Sequence, residues 1–189
     1  MPTYCDLSGN CQIIEKGKVI KNYQNWGDVY SITFDITIIK ISSSWMEVFR
    51  FTATDENCCN NGDRIPALFI NPAGTFHFSS SLYNGENYNY VNDINFVLGE
   101  TYHVTIKQSL MAGKYLYEII INGDTKVEVE NKNPTKFPTV NFYTSFNGGF
   151  TYDFGHVCNF RIHQGGKLES DKKSQSTLTF YRHTVMEFC

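Results

Sequence analysis

Apolar and polar residues alternate along much of the chain with the two-residue period of a β-strand. Within residues 29–39, positions 30–38 alternate between Tyr, Ile or Phe on one side and Ser, Thr or Asp on the other. Residues 45–54 repeat this period before a polar cluster, Asp55-Glu56-Asn57, ends it. Each segment therefore predicts a half-buried strand, with one face toward the core.

Turn residues join further strands into hairpins. The Asn-Pro-Ala-Gly sequence at 71–74 follows an apolar run at 65–70 and precedes a predicted strand at 75–79. Asn122-Gly123 separates predicted strands at 115–121 and 125–130, and an Asn-Gly pair between two strands is a strong hairpin signal. Further strands are predicted at residues 102–107, 139–144, 155–163 and 177–188.

Residues 82–95 are rich in Asn, Tyr and Gly and have few aliphatic residues before Ile94, so we interpret them as a surface loop. No segment shows the capped 3.6-residue apolar period of a helix. About ten to thirteen short strands without crossover helices predict an all-β fold, an antiparallel β-sandwich with a jelly roll as the leading topology.

The length of 189 residues fits a single domain spanning residues 1–189. We expect its core at about residues 11–163 and a terminal strand at 177–189. Residues 164–176 are polar and charged, so we interpret them as a surface loop, with a linker to a further segment as the alternative.

The composition narrows the classes of partner. The formal net charge is −3, so there is no strongly basic surface to neutralise nucleic-acid phosphates. No stretch approaches the roughly 18 apolar residues of a membrane-spanning helix, and we expect no membrane insertion. The 15% aromatic and 19% charged content agrees with a strand-rich domain.

Six cysteines form an even set without a C-x-x-C pair, which favours disulfides over a zinc site. Disulfides persist in oxidising compartments, so the sequence predicts a secreted or extracellular domain whose leader has been removed or replaced. The set comprises Cys5, Cys11, Cys58, Cys59, Cys158 and Cys189.

The pairing of these cysteines is open among fifteen arrangements. Cys5 and Cys11 flank a turn-rich segment and can close a small loop with each other. The vicinal pair Cys58-Cys59 bonds internally only with strain, so each is expected to reach a distant partner. The candidates for those partners are Cys11, Cys158 and Cys189.

Three segments carry a resemblance to a known superfamily. Residues 62–78 (GDRIPALFINPAGTFHF) look like a strand pair around a Gly turn, and residues 99–106 (GETYHVTI) and 115–123 (YLYEIIING) look like later strands. Over roughly residues 26–162 the chain resembles the concanavalin A-like lectin/glucanase superfamily, including its laminin G-like, pentraxin and galectin-like jelly rolls. The resemblance implies a lectin-like sandwich.

Two functional signatures of that superfamily are missing. The galectin pattern His-x-Asn-x-Arg followed by Trp-x-x-Glu-x-Arg does not occur, and neither does the glucanase pattern Glu-x-Asp-x-x-Glu. The closest carboxylates, Glu128 and Glu130, share a strand face with lysines. The five histidines are scattered over the chain. We therefore expect no catalytic residues and a protein that is not an enzyme.

A polar loop offers ligands for calcium. Asp55, Asn60 and Asp63 carry oxygen ligands of the kind that calcium prefers, and laminin G-like and pentraxin relatives bind calcium at loops. The alternative is that these residues only form turns, or that Asp63 pairs with Arg64. We expect no cofactor, with calcium as the one candidate.

Two Tyr- and Asn-rich segments are the candidate ligand-binding loops. Tyr rings stack on sugar or peptide faces, and Asn amides offer a donor and an acceptor together. The alternative is ordinary surface loops of an Asn-rich protein. The candidate residues are Tyr83, Asn84, Asn87, Tyr88, Tyr90, Asn147 and Tyr152.

Together these features predict a non-enzymatic extracellular recognition module that binds carbohydrate. The first alternative is a protein–protein adhesion or receptor-ligand domain of the same fold, and the second is a glycan-cleaving enzyme. The expected partner is a glycan or a cell-surface protein, and a homo-oligomer remains open.

Overall fold

A computed structural model describes the backbone of residues 3–7, 11–13, 18–58, 60–82, 86–91, 97–144 and 154–165, and the side chains of 11, 19–58, 60–82, 97–144 and 154–165. These residues form thirteen strands and no helix. The strands are β1 (Thr3–Leu7), β2 (Gln12–Ile13), β3 (Lys18–Trp26), β4 (Tyr30–Ile38), β5 (Met46–Thr52), β6 (Ala67–Ile70), β7 (Phe76–Leu82), β8 (Glu86–Val91), β9 (Thr101–Met111), β10 (Lys114–Ile121), β11 (Asp124–Asn131), β12 (Phe137–Thr144) and β13 (Gly155–Gln164).

The strands form two antiparallel sheets. Sheet A has the order β1-β13-β4-β9-β10-β11, with β2 paired to β13, and sheet B has the order β3-β12-β5-β6-β7-β8. Neighbours in sheet order are often distant in sequence, so the chain passes repeatedly between the sheets. The predicted antiparallel β-sandwich is confirmed.

The two predicted hairpins are present. Between β6 and β7 the Gly74 amide donates to the Asn71 carbonyl at 2.9 Å, and Gly74 adopts a φ of 79°. Asn122 and Gly123 both have positive φ, at 52° and 85°, which is the geometry of a tight hairpin turn. Turn chemistry thus sets the register of both hairpins.

Stacked aromatic rings join the two sheets. Phe51 and Phe142 of sheet B stack at 4.5 Å, and Phe142 also stacks on Phe160 of sheet A at 4.8 Å. Phe34 continues the stack at 5.5 Å from Phe160. Because these rings come from alternate positions of their strands, the period-two pattern places them all in one core.

The interpretation of residues 82–95 as a loop is wrong, because Glu86–Val91 is the edge strand β8 and pairs with β7. An edge strand needs hydrogen bonds on one side only and is commonly polar, so a shortage of aliphatic residues does not exclude it. The strands β1, β2 and β3 were also not predicted. The predicted strand at 177–188 lies outside the described residues.

One described disulfide joins Cys11 to Cys158, across 147 residues of sequence. The short strand β2 pairs with β13 through Gln12 and Val157, which brings the preceding residue to Cys158. The predicted bond between Cys5 and Cys11 is therefore wrong. The prediction that Cys11 or Cys158 bonds to Cys58 or Cys59 is wrong for the same reason.

Cys58 is also disulfide-bonded. Cys59 and Cys189 lie outside the described residues, and the side chain of Cys5 is not described. No helix in the described part of the chain has the length and apolar character needed to cross a membrane.

Candidate functional site

Polar side chains line the outward-facing side of β3 and β12, alternating with core residues such as Val140 and Phe142. Asn22 Nδ2 donates to Asn141 Oδ1 at 2.7 Å, Gln24 Nε2 donates to Asn22 Oδ1, and Thr139 Oγ1 donates to Gln24 Oε1 at 3.3 Å. We call this surface the amide shelf. It consists of Asn22, Gln24, Asp55, Thr139, Asn141 and Tyr143.

Asp55 forms one wall of the shelf. Its φ of 60° lies in the left-handed region, and its carboxylate accepts hydrogen bonds from β12. Asn141 Nδ2 donates to its two oxygens at 3.0 and 3.2 Å, and the Tyr143 hydroxyl donates to Oδ1 at 3.1 Å. Burial raises the pKa of Tyr143, and the hydrogen bond to the Asp55 carboxylate raises it further.

Hydrogen bonds from Arg50 hold the loop that carries Asp55. It lies opposite Tyr143 in the β5–β12 register, so it faces outward, yet Arg50 and Glu47 are both 0% exposed. Arg50 Nε donates to Glu47 Oε1 at 2.8 Å, Nη1 to the Glu56 carbonyl at 2.9 Å, and Nη2 to Asn57 Oδ1 at 2.8 Å. The half-buried interpretation of β5 is therefore wrong, because the loop covers its outer face.

A second set of bonds closes the same loop. The buried Asp63 carboxylate accepts from Thr54 Oγ1 at 2.6 Å and from the Asn60 amide at 2.7 Å. Arg64 Nε donates to the Asn57 carbonyl at 2.9 Å, and its guanidinium lies 4.6 Å from the ring centroid of Phe69. Burial, with the charge of Arg50 second, lowers the pKa of Arg64 to about 10.

The calcium candidates divide between these two networks. Asn60 and Asp63 are brought together, but as donor and acceptor of a turn hydrogen bond at 2.7 Å. Asp55 is directed away from them toward Asn141 and Tyr143. Both oxygens of Asp63 accept hydrogen bonds that close the turn, one from Thr54 and one from the Asn60 amide.

The predicted ligand-binding residues whose backbone is described do not belong to the shelf. Asn87, Tyr88 and Tyr90 belong to the edge strand β8, at the far end of sheet B from the shelf, and only their backbone is described. The remaining candidates lie outside the described residues, namely Tyr83, Asn84, Asn147 and Tyr152.

Sheet A carries a second polar cluster on its outer face. His103 Nδ1 lies 2.6 Å from Asp35 Oδ1, and Asn159 Nδ2 donates to Asp35 Oδ2 at 2.6 Å. Burial alone would raise the pKa of Asp35, but the hydrogen bonds from Asn159 and His103 and the nearby charges of His103 and Arg161 hold it below its usual value.

Two further clusters of potential metal-binding or catalytic side chains on sheet A already form bonds within the protein. Ligand atoms of Cys11, His156 and Cys158 lie within 4.8 Å of one another, but the two sulfurs form the disulfide. Glu118 lies opposite Glu128 on neighbouring strands, and its Oε2 is 3.0 Å from the ammonium of Lys107.

Comparison with known proteins bears on the fold of this chain. No protein-family model and no curated protein sequence matches the chain. Among solved structures it is similar to a heptameric SAP-like pentraxin from Limulus polyphemus, with a TM-score of 0.50 and 16% identity over 80% of this chain and 75% of that chain. The chain has the concanavalin A-like jelly-roll fold.

Other solved structures share this jelly roll. The binding domain of botulinum neurotoxin serotype G has a TM-score of 0.54 and 13% identity, over 89% of this chain and 44% of that chain. A family 7 alginate lyase in complex with substrate has a TM-score of 0.50 and 13% identity, over 90% and 80%. The fold thus serves both binding domains and a glycan-cleaving enzyme, and at these identities it does not assign an activity.

Most shelf residues were missed by sequence reasoning. Thr139, Asn141 and Tyr143 lie on the polar face of β12, a strand that was predicted correctly. The sequence does not show that β3 is its neighbour in the sheet, so the polar faces of the two strands could not be joined into one surface. The signal available in sequence was the run of amide and hydroxyl groups at alternate positions, which also occurs at Asn22 and Gln24 in the unpredicted β3.

Proposed function

We propose that this protein is a carbohydrate-binding recognition module and that the amide shelf is its binding surface. The observation that carries the proposal is the connected hydrogen-bond chain from Gln24 through Asn22 and Asn141 to Asp55. These side chains hold one another in place on adjacent strands, so binding requires little additional ordering of the protein.

The chemistry of the shelf suits sugar hydroxyl groups. A hydroxyl both donates and accepts, and a neighbouring amide and carboxylate complement both roles. The amide groups of Asn22 and Asn141 lie beside the acceptor-only carboxylate of Asp55, and the Tyr143 ring provides an apolar face next to them. The loop over β5 forms a wall on one side, so an extended glycan would lie along β12.

A glycan array of the oxidised domain tests this proposal. Wild type is expected to bind a restricted set of glycans, and Asn141→Ala is expected to weaken that binding at least tenfold because it removes the central amide. Thr125→Ala on the exposed edge of sheet A is the control and should bind as wild type does. Equal binding by wild type and Asn141→Ala would contradict the assignment of the surface.

Calcium is not required in this proposal. The shelf binds through direct hydrogen bonds, and the Asp63 carboxylate closes the neighbouring loop through Thr54 and the Asn60 amide. We expect glycan binding and the melting temperature to be the same with chelator and with millimolar calcium, since a ligand of the native state raises its stability. A calcium-dependent rise in melting temperature that Asp63→Asn abolishes would establish the calcium site instead.

A protein-docking role is the second candidate, and a patch at one end of the sandwich favours it. Ile39, Val97 and Leu98 are each more than half exposed, and the Gly99 amide donates to the Ile38 carbonyl at 2.8 Å, which holds their two loops together. Exposed aliphatic side chains that cluster on a surface are typical of a protein interface. Loss of partner binding in Leu98→Glu, with glycan binding unchanged, would support this role.

A further inference from the structure

Of the six residues that form the amide shelf, one is charged, and its charge is negative. Asp55 is its one ionised side chain, and Glu56, the next residue along the chain, is also exposed. Like charges at short range repel, and the repulsion is strong enough at a protein surface to change affinity by tenfold or more. A bound ligand with its own carboxylate or sulfate group would therefore meet an unfavourable field.

Two described basic side chains, Arg50 on β5 and Lys21 on β3, do not present an accessible cation at the shelf surface, although the charge of Arg50 acts on Tyr143. Arg50 lies beneath the loop, is 0% exposed, and directs its guanidinium to Glu47, the Glu56 carbonyl and Asn57. Lys21 lies opposite the core residue Phe142 in the β3–β12 register, so it belongs to the other face of the sheet. Its ammonium is 5.3 Å from the ring centroid of Tyr23.

The hydrogen-bonding capacity of Asp55 also favours a neutral ligand group over an anionic one. Its two oxygens accept three hydrogen bonds from Asn141 and Tyr143, and a carboxylate has about four lone-pair sites. The remaining capacity can be filled only by a donor. A sugar hydroxyl supplies a donor, whereas a uronate carboxylate or a sulfate supplies acceptors alone.

From these observations we infer that the shelf selects neutral, hydroxyl-rich glycans and discriminates against uronates, sialic acids and sulfated sugars. The inference rests on the proposed carbohydrate-binding function. The selecting group is the Asp55 carboxylate.

Matched pairs of glycans on one array test the inference. Each pair shares a backbone and differs in charge: β-mannotetraose against tetra-mannuronate, N-acetyllactosamine with and without terminal sialic acid, and a neutral disaccharide with and without sulfate. Within every pair that wild type binds, the neutral member is expected to bind at least tenfold more tightly. The preference should shrink as salt concentration rises, because salt screens exposed charges.

Two variants with the same change in charge separate the selecting group from a general charge effect. Asp55→Asn keeps the shape and is expected to reduce the preference for the neutral member to less than threefold. Glu128→Gln, on exposed β11 of sheet A, is the control and should keep the full preference. Circular dichroism and melting curves confirm that both variants fold.

The possible outcomes are distinguishable. Binding of both members of a pair with equal affinity, or tighter binding of the anionic member, would overturn the inference while leaving carbohydrate binding intact. An unchanged preference in Asp55→Asn would overturn the role of that carboxylate. No binding to any glycan by the folded wild type would contradict the proposed function itself, and the inference with it.

Discussion

Replacing Arg50 with Met tests whether the buried ion pair fixes the loop that completes the shelf. The variant removes the bonds to Glu47, the Glu56 carbonyl and Asn57, and the fully buried Glu47 carboxylate loses the cation that donates a hydrogen bond to it. Removing one partner of a buried pair costs about 3–5 kcal/mol of folding stability. For a chain of this size that corresponds to a melting temperature lower by about 6–20 °C.

Urea unfolding followed by tryptophan fluorescence measures this cost, because Trp26 is buried and reports on the core. Arg161→Met, an exposed arginine on β13, is the control and should lose less than about 1 kcal/mol. Arg50→Met should also bind glycan more weakly than wild type, because the loop carrying Asp55 is no longer held.

A double variant separates the charge from the loop contacts. Glu47→Leu combined with Arg50→Met removes the buried carboxylate that has lost its hydrogen-bonded partner, and should recover most of the roughly 3–5 kcal/mol lost in the single variant. Glycan binding should remain weak, because the loop bonds are still missing. An Arg50→Met protein within 1 kcal/mol of wild type, or a double variant no more stable than the single one, would refute the reasoning.

Three further predictions concern stability. Because folding lowers the pKa of Asp35, this carboxylate stabilises the folded protein above the unfolded value of 3.8, and the stabilisation is lost as the pH falls through the folded value. In Asp35→Asn the melting temperature should therefore fall less steeply between pH 5 and 2 than in wild type. An equally steep fall in both proteins would contradict this. A Cβ at Gly155 would lie 2.3 Å from the Thr37 carbonyl oxygen. Gly155→Ala should therefore lower the free energy of unfolding in urea by about 1–3 kcal/mol. An unchanged free energy would show that β4 and β13 move apart without penalty. Replacing Cys11 and Cys158 with Ser should cost about 2–5 kcal/mol in the same assay, and a smaller loss would mean that the closed segment does not restrict the unfolded chain.

Strand periodicity predicted the fold well where a strand has one apolar face. The segment at 29–39 corresponds to Tyr30–Ile38, and the Asn122-Gly123 turn lies where it was expected. The strand Glu86–Val91 was not predicted, although Tyr88 and Tyr90 alternate with Asn residues, because it lacks the aliphatic residues by which the other strands were recognised. Periodicity failed for β5, since the loop that covers its outer face is not visible in the alternation.

The site was harder to predict than the fold because it depends on sheet order. Asn22 and Asn141 are 119 residues apart in sequence and meet because β3 pairs with β12. Asp55 was recognised as a functional candidate, but for calcium. Its position beside Asn141 follows from the Arg50 contacts that hold the loop, and those contacts have no local sequence signal.

The most direct test of the central claim is to map glycan binding by nuclear magnetic resonance on the oxidised domain. A bound neutral oligosaccharide should shift amide and side-chain signals at Asn22, Gln24, Asp55, Thr139, Asn141 and Tyr143, and should leave sheet A unchanged. Shifts confined to β8 or to the outer face of sheet A, with the shelf signals unmoved, would contradict the account.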